Sequence, residues 1–135
     1  RHPRDPALPF AVIDVEHGAV ATSGDYERFF VIDGTRYAHI VDPRTGWPVR
    51  GVASVSVLAR TGMESDALST ALFVMGPVAG CAAIAAEPDV AAIWVPAPEA
   101  DAAHGPPRVI VGGGLASRVE VADGIEVGIC PGAGR

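Results

Sequence analysis

Lysine, asparagine and glutamine are absent from this 135-residue chain, aromatic residues make up 6% and cysteine occurs twice. Without lysine, every basic residue is an arginine, and ten of these against sixteen acids leave a net charge of −6 with histidine neutral. The arginines form no cluster, which excludes nucleic acid as a partner, because phosphate-backbone binding needs grouped cations. Cys81 and Cys130 lie far apart and show no Cys-x-x-Cys or metal-type spacing. They read as two buried thiols in preference to a disulfide. Neither Gly-x-Ser-x-Gly nor His-Glu-x-x-His occurs, and Cys81 lacks a local nucleophile signature. Gly112-Gly113-Gly114 is not followed by Lys-Ser or Lys-Thr, so it is read as a hairpin and not as a phosphate loop. The excess of alanine, glycine and valine points to a GC-rich genome more than to a function.

What is present fits one globular domain or part of a larger one, at 49% apolar residues. The first residues, Arg1-His2-Pro3-Arg4, include no initiator methionine and no apolar leader, so the chain is expected to be a portion of a longer protein. Residues 67–86 carry no formal charge and are long enough to cross a bilayer. Acids flank both ends, no positive cluster does, and Gly76-Pro77 splits the run, so two short helices against a sheet are expected and no membrane span.

Along the chain, strands are expected over 10–15 and 18–22, followed by a Ser23-Gly24-Asp25 turn. Asp33-Gly34 marks a hairpin between 28–32 and 36–41. Asp42-Pro43-Arg44-Thr45-Gly46-Trp47-Pro48 reads as a stiff irregular loop, and alternation over 52–59 as a half-buried strand. Thr61-Gly62-Met63-Glu64 matches a capping box opening a helix over 62–75, with Leu68, Ala71, Leu72 and Met75 facing inward. A second helix over 78–86, a strand over 90–95, a loop over 96–108 and a terminal hairpin formed by 109–111 and 118–121 complete the pattern, with a possible last strand over 125–129 and a frayed tail over 131–135. The expected class is α+β, a mostly antiparallel sheet with a helix pair packed on it.

Candidate chemistry is sparse. Asp66 and Thr70, four apart on one helix face, offer two hard oxygens of the kind Mg²⁺ takes beside phosphates and water. On spacing alone they read equally as a helix-start carboxylate and a threonine bonding back to its own helix, and that plainer reading is preferred. His39 stands at a strand end before the rigid loop, placed to accept a proton or steady a phosphate, or simply to support the turn. Arg44 offers a cation and Thr45-Gly46 offer amides to an anion, while Asp42 can hold the turn by an Asx bond. Ser23-Gly24-Asp25-Tyr26 offers a hydroxyl and a ring to a planar ligand, or is a surface turn. His2, His17 and His104 have no partner at ligand spacing.

Three segments, in this order and separation, resemble the ApbE family: Ala21-Thr22-Ser23-Gly24-Asp25-Tyr26-Glu27-Arg28, His39-Ile40-Val41-Asp42-Pro43-Arg44-Thr45-Gly46-Trp47-Pro48-Val49, and Ser65-Asp66-Ala67-Leu68-Ser69-Thr70-Ala71-Leu72. These are FAD:protein FMN transferases, once called thiamine-biosynthesis lipoproteins. The resemblance implies a T-fold-like fragment, the carboxy-terminal portion of such a domain over 1–135. It further implies Mg²⁺-dependent transfer of FMN from FAD to a threonine hydroxyl of a target flavoprotein, with release of AMP.

Asp66 and Thr70 then correspond to the metal ligands of the family's Asp-Ala-Leu-x-Thr motif, which reverses the preference drawn from spacing. His39 corresponds to the histidine near the flavin phosphates and is taken as the base, with an acid from the absent half as its rival. Ser23, Gly24, Tyr26, Asp42, Arg44, Thr45 and Gly46 correspond to flavin-pocket positions. The family's Gly-Gly-x-x-Lys-Gly segment has no counterpart, nor has the backbone oxygen that segment's half lends the metal, so these residues alone are expected to bind FAD poorly and to turn over slowly or not at all. Ala38 stands where many relatives carry a second histidine or a bulkier residue. Relatives imply a bacterial, extracytoplasmic, lipoprotein-anchored setting. The alternatives are hydrolysis of FAD to FMN and AMP at the same site, and a non-catalytic flavin-binding or assembly module.

Overall fold

The computed structural model describes residues 9–97, 108–115 and 118–131. Its elements are β1 (Ala11–Ile13), β2 (Ala19–Gly24), β3 (Phe29–Ile32), β4 (Thr35–Ala38), β5 (Val41–Asp42), β6 (Trp47–Pro48), β7 (Val52–Ala59), α1 (Gly62–Ile84), β8 (Ala91–Pro96), β9 (Arg108–Gly112), β10 (Val119–Val121) and β11 (Glu126–Ile129). A five-stranded sheet in the order β11-β9-β8-β7-β2 forms the middle layer. All its pairings are antiparallel except β11 with β9. The α+β class with a mostly antiparallel sheet is therefore as expected.

Strand β7 is buried on both faces, not half-buried as its alternation suggested. Its odd positions, Val55 and Val57, meet Leu72, Phe73, Trp94 and Ile84 under α1. On the other face Leu58 joins Phe10, Ile93, Val109 and Val111, closed over by the antiparallel β1–β10 ribbon. Half-buried Ser56 has a hydroxyl partner across the ladder, Thr22 at 2.8 Å.

Helix α1 begins where the sequence indicates. The Thr61 hydroxyl accepts from the Glu64 amide and the Glu64 carboxylate accepts from the Thr61 amide, each at 3.2 Å. Gly76, with φ 71° and ψ 174°, then breaks the helix into two halves. That backbone conformation is open to glycine and hostile to any residue with a Cβ, and Pro77 fits because the first turn of a helix needs no proline N–H. By length and mean hydropathy (1.8) α1 would suffice to cross a membrane. Its buried side lies on the sheet, with Ser65, Ser69, Leu72, Phe73, Gly80, Cys81 and Ile84 inward. Ala71 and Met75, expected to face inward, are exposed instead. The buried serines remove the objection to this rotation, since Ser65 donates to the Gly62 carbonyl at 3.0 Å and Ser69 to that of Asp66 at 2.9 Å.

Four more expectations are corrected. Cys81 and Cys130 form a disulfide, joining the second half of α1 to the end of β11. Segments 109–111 and 118–121 do not form a hairpin: β9 pairs with β8 and β11 while β10 crosses to β1, and Gly113 opens a 3-10 turn at φ 72°. A Cβ at Gly113 would sit 2.3 Å from the Val90 carbonyl oxygen, so this turn hugs the sheet edge instead of reversing the strand. Ser23 and Gly24 belong to β2, paired with Val55 and Ser54, and not to a turn. The 42–48 loop contains a minimal ladder, Val41 opposite Pro48 and Asp42 opposite Trp47. The Asp33-Gly34 hairpin is as read, with φ 48° and 76° at its two turn residues. Most of the loop expected over 96–108 and of the tail expected over 131–135, together with His2 and His104, lie outside the described residues.

Candidate functional site

Strand β2 and the first half of α1 run side by side, and this pairing builds the site. Ser23 turns its hydroxyl toward the helix, 2.8 Å from the Ser69 hydroxyl and 3.1 Å from that of Thr70. Ser69 is wholly buried, whereas Asp66 and Thr70 lie on the exposed side of the same turns. Gly24, next to Ser23, is needed for close approach: a Cβ there would stand 2.6 Å from Cε1 of the Tyr26 ring. The structure thus brings together Ser23, Gly24 and Tyr26 on one side and Asp66 and Thr70 on the other.

The loop before β7 supplies a second group. Asp42 accepts from the Arg44 amide at 2.9 Å, from Arg44 Nε at 2.9 Å and from Nη2 at 2.7 Å. The Arg44 hydrogen bonds, side chain first, hold the Asp42 carboxyl below its ordinary range, and the same contacts raise Arg44. Arg44, expected to face a phosphate, is thus engaged by its neighbour, although its side chain remains 73% exposed. Thr45 Oγ1 accepts from the Trp47 amide at 3.2 Å, and the Gly46 amide donates to the Asp42 carbonyl at 2.8 Å with φ 73° at Gly46. The base of the loop is fixed in the core, where buried Ile40 and half-buried Val49 join Leu72 and Phe73.

His39 is exposed between β4 and β5, its ring Nδ1 3.2 Å from the Arg28 carbonyl. A carbonyl only accepts, so Nδ1 carries the proton in this contact and Nε2 of the neutral ring keeps its lone pair. No hydrogen bond joins His39 to Asp66 or Thr70.

Among the described residues no group of three or more His, Cys, Asp or Glu is gathered for a metal. What Asp66 and Thr70 offer is one carboxylate and one hydroxyl on neighbouring turns. Such a pair fits a hard cation that keeps water and phosphate oxygens as its remaining ligands, as Mg²⁺ does, and not a metal needing an all-protein cage. Ser69 was missed in the sequence. The available signal was the spacing of Ser65 and Ser69, two hydroxyls one helical turn apart, directly beside Asp66 and Thr70.

Fold and site together describe an α+β protein that presents hard oxygen donors at the start of a sheet-packed helix, with a rigid loop whose base packs against the same helix. A family model described as the ApbE family matches residues 1–94, and the chain belongs to that family. The FAD:protein FMN transferase of Treponema pallidum is 42% identical over 116 residues, which make up 85% of this chain and 30% of that protein. That of Escherichia coli K12 is 43% identical over 68 residues, half of this chain and 19% of the other. Among solved structures, the ApbE protein of Thermotoga maritima matches with a TM-score of 0.61 and 44% identity, covering 71% of this chain and 31% of that one. The flavin transferase ApbE of Vibrio cholerae matches with a TM-score of 0.50 and 41% identity, covering 61% and 25%. The chain spans less than a third of the length of these relatives.

Proposed function

We propose that this chain forms the cation- and phosphate-facing part of an FAD:protein FMN transferase, within a longer protein. The observation that carries the reading is the pair Asp66 and Thr70, exposed on the first half of α1 with Ser23 bonded to Thr70, in a chain belonging to the ApbE family. Bound there by the Asp66 carboxylate and the Thr70 hydroxyl, Mg²⁺ would supply charge neutralisation of the FAD pyrophosphate.

The remaining work falls to the chain. The acceptor threonine oxygen attacks the FMN phosphorus, the bond from that phosphorus to the bridging oxygen breaks, and AMP leaves with that oxygen. His39 Nε2 takes the proton from the attacking hydroxyl, with its tautomer set by the Arg28 carbonyl. The loop from Asp42 to Gly46, held rigid by its own hydrogen bonds, shapes the wall beside the phosphates. Catalysis of phosphoryl transfer is largely positioning, and a stiff loop on a packed base serves it. The Cys81–Cys130 bond favours an oxidising compartment, in keeping with an extracytoplasmic setting.

The test is incubation of the chain with FAD, Mg²⁺ and a flavoprotein domain bearing an acceptor threonine, followed by in-gel flavin fluorescence. Labelling that disappears in Asp66→Ala is the expected result. AMP release without acceptor would indicate hydrolysis instead. Failure of the chain to label, recovered in a longer form that supplies the Gly-Gly-x-x-Lys-Gly half, fits a partial site, whereas labelling by that longer form that survives Asp66→Ala would overturn the reading.

A further inference from the structure

The three hydroxyls beside Asp66 have a definite proton order. Each serine or threonine hydroxyl has one proton to give. Ser69, buried, gives its proton to the Asp66 carbonyl at 2.9 Å, an oxygen that can only accept. The 2.8 Å contact between Ser69 and Ser23 then takes its proton from Ser23, and the 3.1 Å contact between Ser23 and Thr70 takes its proton from Thr70. The reverse order would take the buried Ser69 proton away from the Asp66 carbonyl and leave the exposed Thr70 proton to solvent or to that carbonyl at 3.5 Å, which is beyond a good O–H···O distance. The shorter set of contacts therefore points the Thr70 proton inward to Ser23 and leaves the lone pairs of its oxygen outward.

We propose that Ser23 and Ser69 are positioning residues that hold the Thr70 hydroxyl with its lone pairs turned toward the cation bound by Asp66. This rests on the function proposed above and adds residues to it. A hydroxyl free to rotate would present its proton to a cation part of the time, and donating to Ser23 prevents that. Ser69 has a second effect, since its bond to the Asp66 carbonyl ties the backbone of the carboxylate ligand to the same relay. Outer partners of this kind commonly set metal affinity by about ten- to a hundredfold.

The experiment is Mn²⁺ binding to the full chain in the presence of FAD, followed by the electron paramagnetic resonance signal of free Mn²⁺. Wild type, Asp66→Ala, Ser23→Ala, Ser69→Ala and Ser23→Thr would be compared, with circular dichroism melting to confirm that each is folded. Expected are loss of binding in Asp66→Ala, weakening of about tenfold in Ser23→Ala, and recovery in Ser23→Thr, which restores a hydroxyl. Ser69→Ala removes a fully buried group and can lower the melting temperature, so half-buried Ser23 is the deciding position. Binding in Ser23→Ala within twofold of wild type, while Asp66→Ala binds nothing, would overturn the relay and leave the metal site standing. Absence of Mn²⁺ binding in wild type would overturn the site itself, and the relay with it.

Discussion

Trp94 Nε1 donates to the main-chain carbonyl of Leu72 at 3.2 Å, in the last turn before α1 breaks. The first half of α1 ends there, because Gly76, four residues on, has a non-helical backbone. Both partners are buried, Trp94 completely, so no solvent can stand in for the indole. Trp94→Phe keeps a ring and removes the donor. The expected loss of stability from the donor alone is about 1–3 kcal/mol, measured by urea unfolding with the slope unchanged.

The disulfide links residues 49 apart in sequence, and reduction frees that length of the unfolded chain. Opening it with a dithiol should lower unfolding free energy by about 2–4 kcal/mol. Unfolding curves with and without reductant, on otherwise identical samples, measure this directly.

Gly112 makes that bond's neighbourhood unforgiving. A Cβ there would lie 2.6 Å from Cys130 Sγ and 2.9 Å from Ile84 Cδ1. Gly112→Ala should cost about 1–3 kcal/mol by overpacking. The cost should shrink in reduced protein, where the sulfur can swing aside, so the two perturbations are expected to be non-additive.

The Asp42–Arg44 pair predicts a pH response. Its carboxyl is held below the ordinary value of about 3.9, so the loop's contacts are complete above that pH. They are lost only as pH falls through the lowered value, when the carboxyl takes up its proton. Carboxyl carbon chemical shifts of Asp42 should therefore titrate below the ordinary range. In Arg44→Ala the midpoint should move upward toward it.

Local signals proved legible where the whole instruction lies within a few residues. Thr61 with Glu64, Asp33 with Gly34, and Gly76 with Pro77 each specify their own backbone, and helix start, hairpin and helix break follow. Ser23-Gly24 misled because glycine beside a polar pair suits a turn, while its actual conformation is dictated by distant partners, Val55 and Ser54 in β7. The Cys81–Cys130 bond and the crossing of β10 to β1 likewise depend on contacts that no short window contains. Of the site, Asp66 and Thr70 were visible as a spacing and Ser23 as a candidate hydroxyl, whereas the contacts that join Ser23 to Ser69 and Thr70 became visible only once β2 lay against α1.

The glycine at the middle of α1 also resets rotational phase. Within a continuous helix, one inserted or deleted residue turns everything beyond it by about 100°. Because the two halves meet through a non-helical residue, a length change after Gly76 need not carry its rotation back to Asp66 and Thr70. Each half therefore sets its own face against the sheet, the second through Gly80, Ile84 and the bonded Cys81, the first through the oxygen donors it holds in register against β2.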